Sequence, residues 1–273
     1  MVGKVMTSQK VALVTGASRG IGAATAVALA KEGYAVGCAA RSTREHPHRT
    51  PGTIDGVVDR IRDSGGNAIA VPVDLADREQ VVAMVERTVD ELGRLDILVN
   101  NAAASAFGGW DLPLAEHDSV MAVNFDAPFI ASRQAIPHLR SSGEGRILNV
   151  SSQVALQAFP GTITSMSYGV AKIALERMTV DLAQQLQSEQ IAVNCFRVDS
   201  GVASEGAYAV MPDMDLSGWE TPEVAADGMT WMLRQPVTYT GRLESMVHLA
   251  QREGVMPTVA ARTSGYLPPA HFP

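Results

Sequence analysis

Between Lys10 and Gly22 the chain reads KVALVTGASRGIG, and this stretch decides the fold. Lys10–Thr15 is a short, almost uniformly apolar run, the composition of a parallel strand covered on both faces. It leads directly into Gly16, Gly20 and Gly22, spaced Gly-x3-Gly-x-Gly, and then into an Ala-rich helical stretch. Strand, glycine turn and helix in that order bring backbone N–H groups and the positive end of a helix dipole to one point. That point is a phosphate cradle, because glycine permits both the tight turn and the close approach of backbone to a pyrophosphate.

The same alternation continues outward. Further strands are expected at Tyr34–Ala39, Ala68–Val73, Leu95–Asn100, Arg146–Ser151, Gln190–Phe196 and Arg242–Leu249. Helices are expected near Gly20–Gly33, Ile54–Ser64, Arg78–Leu92, Leu114–Arg140, Tyr168–Gln187 and Pro222–Leu233. In the third helix Val81, Val82, Val85, Val89 and Leu92 form one apolar stripe, with Asp77 as N-cap and Gly93 just past the C-terminus. Pro222 suits a first helical position. This pattern predicts an α/β fold, a parallel sheet wound right-handedly with helices on both faces. Three segments break the rhythm: the polar loop Ser42–Gly56, the stretch Gly201–Thr221, which has the character of a lid, and an irregular Pro-rich tail after Leu249.

Composition narrows the function. The chain has 273 residues, 46% hydrophobic and 19% charged, enough for a large core and too apolar for disorder. Twenty-two basic against 29 acidic residues give a formal net charge of −7, a poor match to nucleic acid or to an anionic membrane surface. No apolar run approaches membrane-spanning length. Met1–Lys10 lacks the pattern of a secretory signal, and the two cysteines, Cys38 and Cys195, lie in apolar strand-like runs, so a cytoplasmic protein with buried thiols is expected. His46-Pro47-His48 lacks further ligands nearby, and no metal site is expected there.

The turn Thr15–Gly22 (TGASRGIG) is followed in order by Asp74 in VDL, Asn100-Asn101-Ala102-Ala103, Asn124, Ser151-Ser152, and Tyr168 and Lys172 in YGVAK. This ordered set resembles the short-chain dehydrogenase/reductase family over roughly Gln9 to Leu249. The resemblance implies one Rossmann-type domain over residues 1–273, with a seven-stranded parallel sheet in the order 3-2-1-4-5-6-7. It also implies a homodimer or homotetramer acting on a small-molecule carbonyl or alcohol. The loop HPHRTPGTI is further similar to the hydroxysteroid dehydrogenase-like subgroup.

The family likeness assigns roles residue by residue. Tyr168 is the expected acid/base, and Lys172, on the same helical face, is expected to lower the phenol's pKa and to bind the nicotinamide ribose. Ser152 rather than Ser151 is expected to hold the substrate oxygen, and Asn124 to position a water behind Lys172. Cofactor binding falls to Gly16, Ser18, Arg19, Gly20, Ile21 and Gly22 in the turn, to Arg41 and Ser42 after the second strand, and to Asp74 and Leu75 at the adenine. Asn101, Ala102 and Ala103, together with Tyr168 and Lys172, complete the set.

The second strand ends Ala39-Ala40-Arg41, with alanine where NAD-preferring relatives carry an acid. Arg41 and Arg19 therefore point to a 2′-phosphate and to NADP(H), with NAD(H) as the alternative. Arg41 and Arg44 also read as solvated loop residues. Two departures matter. The Ser152–Tyr168 interval is longer than usual and mainly apolar (Val154, Leu156, Phe159, Ile163, Met166). After the sixth strand, Arg197-Val198-Asp199-Ser200-Gly201-Val202-Ala203-Ser204 stands where the family has Pro-Gly and then Thr, with Ser204 a possible substitute hydroxyl. The runner-up reading is a protein that binds NADP(H) as a sensor or scaffold without turnover.

Overall fold

The structure, a computed structural model, describes residues 9–156 and 166–265. Seven strands form one all-parallel sheet: β1 (Val11–Thr15), β2 (Ala35–Ala40), β3 (Ala68–Pro72), β4 (Ile97–Asn100), β5 (Gly145–Ser152), β6 (Ile191–Val198) and β7 (Leu243–Ser245). Their order is β3-β2-β1-β4-β5-β6-β7, as the family resemblance implied. Every residue of β1, β2 and β4 is buried, which explains why these strands read as continuous apolar runs.

Helices cover both faces. One apolar layer packs α1 (Gly20–Lys31), α2 (Ile54–Asp63), α8 (Pro222–Arg234) and α9 (Met246–Glu253) against the sheet. The other packs α3 (Arg78–Leu92) and α5 (Ala127–Ser142), with the C-terminal part of α6 (Met166–Leu186). In α3, Asp77 accepts from the N–H groups of Glu79 and Gln80, and Gly93 closes the helix at φ 92°, both as expected. Its buried stripe runs Val81, Met84, Val85, Thr88 and Leu92. Val82 instead faces outward and Val89 is only partly buried, because the helix presents the Met84/Thr88 row to the sheet. No helix among the described residues is long and apolar enough to cross a membrane.

Element ends shift by a residue or two from the sequence expectation, and three segments differ in kind. The helix read as unbroken over Leu114–Arg140 consists of α4 (Leu114–Met121), a π-helical turn at Ala122–Asp126 and α5. The strand expected to reach Leu249 stops at Ser245, whose hydroxyl caps α9 by accepting from His248 N–H (3.1 Å). The tail is not irregular throughout: α9 is followed by α10 (Pro257–Arg262), while the stretch beyond 265 lies outside the described residues. At the strands' C-terminal edge a buried polar ladder joins sheet to helices. Asn100 donates to Asn149 (2.9 Å) and Ser132 (3.3 Å), and Asn149 donates to Thr179 (2.9 Å). Such fully paired groups fix the register of β4, β5, α5 and α6 at the edge where a site forms.

Candidate active site

The glycine turn after β1 packs closely on its surroundings. Gly16 takes φ +69°, and a Cβ there would lie 2.8 Å from Ala102 Cα, so the turn after β1 and the segment after β4 touch backbone to backbone. A Cβ on Gly22 would sit 2.3 Å from Gly16 O. Thr15 and Asn101 lock the two segments: Asn101 Nδ2 donates to Thr15 O (2.9 Å), while Thr15 Oγ1 accepts from Asn101 and Ala102 N–H (3.0 and 3.1 Å). Ser18 is buried, Ile21 is partly so, and Ala103 is exposed at the end of this segment.

The polar loop after β2 is fastened to that turn. Arg19 donates to the carbonyls of Thr50 (2.9 Å), Pro51 (2.7 Å) and Gly52 (3.0 Å). Ser42 is buried and organises the same loop, donating to Gly52 O (2.7 Å) and accepting from His48 N–H (3.2 Å). Arg44 pairs with Asp59 and so belongs to the loop's own structure, whereas Arg41 is exposed. His48 sits below its ordinary pKa through desolvation and then the positive field of Arg19, Arg41 and Arg49. Asp74 is half-buried and turns the chain after β3, accepting from Ala76 N–H (3.0 Å), with Leu75 buried next to it.

Tyr168 and Lys172 lie on one face of α6, with Lys172 Nζ 5.5 Å from the tyrosine ring centroid. Lys172 is 2% exposed and donates to Val150 O (2.9 Å) on β5. The Tyr168 hydroxyl hydrogen-bonds the Ser152 side chain, and the ring packs on Ala106, Leu112 and Val120. Adjacent serines separate cleanly: Ser152 faces Tyr168, while Ser151 Oγ donates to Glu176 Oε1 (2.7 Å). Asn124 sits in the π turn, buried completely, with its Nδ2 donating to Ala104 O (2.7 Å) and Val120 O (2.8 Å). Its Oδ1 has no partner among the described residues.

The electrostatics differ from the sequence expectation in one respect. Burial pushes the Tyr168 phenol up to about 12, against a smaller lowering by Ser152, and burial pulls Lys172 down to about 8 against the raising influence of Cys195 and Glu176. In the chain alone desolvation therefore outweighs the expected help of the ammonium. The phenol holds its proton at neutral pH, and the neighbouring cation is held close to its own titration.

Several residues of the site went unread in the sequence. Glu176, one turn beyond Lys172, accepts from Arg197 Nε (2.9 Å) and Nη2 (2.8 Å) in a fully buried two-pronged pair. Asp199 accepts from Ser245 Oγ (2.5 Å) and from Val247 N–H (3.1 Å) at the start of α9. These two partnerships hold the exit of β6, where the family's Pro-Gly is missing. His117 Nδ1 and Ser167 Oγ, 2.8 Å apart, tie α4 to α6 immediately before Tyr168. The stretch 201–221 is closed at its neck by a parallel bridge between Val202 and Glu220 and carries a short helix, α7 (Glu205–Val210). Glu220 is anchored by Thr258 (2.7 Å) and Arg262 (3.2 Å) of α10. Ser204 caps α7 by accepting from Ala207 N–H (3.1 Å). Of the apolar loop before α6, Leu156 is buried, Val154 partly so and Met166 exposed, while Phe159 and Ile163 lie outside the described residues.

A sheet of this order, a glycine turn after β1 and a Tyr-x3-Lys helix beside β5 define a dinucleotide-binding oxidoreductase fold. The short chain dehydrogenase family model matches residues 10–203, and the chain belongs to that family of NAD(P)-dependent oxidoreductases. It is 33% identical to hydroxysteroid dehydrogenase-like protein 2 of Xenopus tropicalis over 247 residues, which is 89% of this chain and 58% of that protein. The chain thus spans about half the length of the curated relatives it matches. Among solved structures it resembles a short chain dehydrogenase of Mycobacterium thermoresistibile (TM-score 0.80, 29% identity, 90% of this chain and 87% of the other). It also resembles one of Burkholderia cenocepacia in complex with NADP (TM-score 0.74, 31% identity, 88% and 96%).

Proposed function

We propose that this chain is an NADP(H)-dependent oxidoreductase that interconverts a carbonyl and a secondary alcohol on a hydrophobic small molecule, with Tyr168 as the acid/base. The observation that carries this reading is the single cluster in which Ser152 hydrogen-bonds Tyr168 while Lys172 sits one turn along, held by Val150 O. The residues around it fit a dinucleotide: any side chain at Gly16 or Gly22 would collide with neighbouring backbone, so the turn keeps its backbone bare, and Asn124 carries a buried acceptor without a partner among the described residues.

The bound cofactor supplies the hydride, and the protein supplies placement and proton transfer. Gly16, Ser18, Gly20, Ile21 and Gly22 would hold the pyrophosphate, Asn101 and Ala102 the neighbouring ribose, and Asp74 the adenine edge. In reduction, Tyr168 donates its proton to the forming alkoxide, which Ser152 holds within reach of the phenol. Lys172 balances the phenolate charge that this leaves. In oxidation the same groups act in reverse. Arg41, with Arg19 and Arg49 beside it, supports recognition of a 2′-phosphate, and Ala40 places no carboxylate against it. The apolar bed of Ala106, Leu112 and Val120 beneath Tyr168, with Leu156 nearby in sequence, favours an uncharged substrate. Exposed Phe129, Val170, Ile173 and Val180 on the outer faces of α5 and α6 support a homo-oligomer.

The test is NADPH consumption across carbonyl classes by the wild-type chain and Tyr168→Phe. Uncharged hydrophobic ketones should be reduced, and the variant should lose about 10²–10⁴-fold in kcat with NADPH affinity unchanged. Turnover retained by the variant, or a preference for acyl thioesters or sugar phosphates, would overturn the reading.

A further inference from the structure

Helix α1 begins at the glycine turn without a cap of its own. Arg19 occupies the N-cap position but supplies no side-chain acceptor, and the first turn contains no acidic residue. Its leading donor is satisfied from 185 positions away: Gly20 N–H donates to Glu205 Oε2 at 2.9 Å. Glu205 opens α7 on the segment 201–221, and that segment packs tightly on the turn, since a Cβ on Gly20 would meet Ser204 Cβ at 3.1 Å. Burial lowers the Arg19 guanidinium and Glu205 opposes that lowering, so the carboxylate faces both the turn's backbone donor and its cation. The chain therefore carries an anion of its own at the donors that a dinucleotide's pyrophosphate would use.

We propose that Glu205 is a built-in competitor for the cofactor pyrophosphate, an affinity-determining residue that must leave Gly20, with the start of α7, before the dinucleotide seats. The proposal rests on the cofactor reading given above. Two anions cannot share one N–H donor, and a carboxylate left beside a pyrophosphate repels it. Cofactor affinity is therefore the intrinsic affinity reduced by the fraction of molecules in which Glu205 has swung away. Because Glu205 lies two residues beyond Ala203 in the covering segment, its release also frees that segment to rearrange over the nicotinamide end. The contact is exposed, and a ligand with two phosphates outcompetes it without unfolding anything.

Glu205→Gln, which keeps size and removes charge, and Glu205→Asp, which keeps charge and loses reach, are titrated beside the wild type with NADPH and with adenosine 2′-monophosphate. The latter carries the adenine end and 2′-phosphate but no pyrophosphate. Both variants should bind NADPH on the order of 3- to 10-fold more tightly, with adenosine 2′-monophosphate affinity unchanged. Equal or weaker NADPH binding by Glu205→Gln overturns the proposal while leaving the cofactor reading intact, and so does an equal gain for both ligands. No NADPH binding to any of the three chains overturns the cofactor reading and this proposal together.

Discussion

The two ends of the site are held by opposite means. Around Lys172 the partners are buried: Val150 O on the ammonium, and Ser151 and Arg197 on Glu176. Around the glycine turn they are exposed and exchangeable: Glu205 on Gly20, Arg19 on loop carbonyls, Arg41 in solvent. Reacting groups gain from being fixed in advance, since small displacements cost rate, whereas a phosphate site has to open, accept a ligand and release it. The proposed acid/base end thus has the character of a core and the proposed phosphate end that of a surface.

Each half of the contrast can be broken separately. The largest effect is expected at Glu176. Glu176→Leu strands the Arg197 guanidinium in the interior, and the chain should lose about 3–5 kcal/mol of stability, read by urea denaturation. The double variant Glu176→Leu/Arg197→Met should recover most of it, because a volume-matched apolar pair also fills the space. If the single variant is as stable as the wild type, the pair does not hold this end together.

Next is Lys172. Its folded pKa of about 8 lies below the unfolded value of 10.5, so below pH 8 the folded chain carries a buried cation that water would solvate better. The unfolded chain binds the extra proton between these values, so this group's contribution to stability rises with pH from about 8 to 10.5. Lys172→Met should therefore be more stable than the wild type at pH 7, by roughly 1–3 kcal/mol, while losing activity. The gap should narrow above pH 8 in thermal unfolding scans. Tyr168 works in the other direction, its raised pKa removing stability between pH 10 and 12, so the comparison is cleanest below pH 10. A gap independent of pH would show that the buried ammonium carries no such cost.

The smallest effect belongs to the exposed end. Arg41→Ala should reduce the preference for NADPH over NADH by about tenfold, with NADH affinity and melting temperature unmoved. A preference that survives the substitution would assign 2′-phosphate recognition to Arg19 and Arg49.

Most of this architecture was legible in the chain. β1, β2 and β4 announced themselves because strands buried on both faces need nearly uninterrupted apolar residues, and Asp77, Gly93 and Pro222 marked helix ends through local chemistry alone. The misreadings have a physical pattern. Met246–Leu249 is apolar enough for a strand, and only Ser245 as a cap distinguishes a helix start. The π turn at Asn124 escaped because Ala122–Asp126 holds no Gly or Pro to mark a departure from the α-helix. Asp199 was unreadable as a helix cap because its partners lie 46 and 48 residues on. Glu176 did leave a signal: it continues the Tyr168–Lys172 spacing by one more turn, while Arg197 stands as a charge in an otherwise apolar strand. Charges in such places require partners, and each was the other's.

The π turn at Ala122–Asp126 has a consequence for how this chain tolerates editing. Removing one residue there would restore regular pitch, and because a wider turn takes up its extra residue locally, α4 and α5 would keep nearly the same facing. What would change is the turn itself, where Asn124 Nδ2 now reaches both Val120 O, four residues back, and Ala104 O. A shortened chain would gain helical regularity and displace that buried amide, so this irregular turn resists deletion more than its neighbours do.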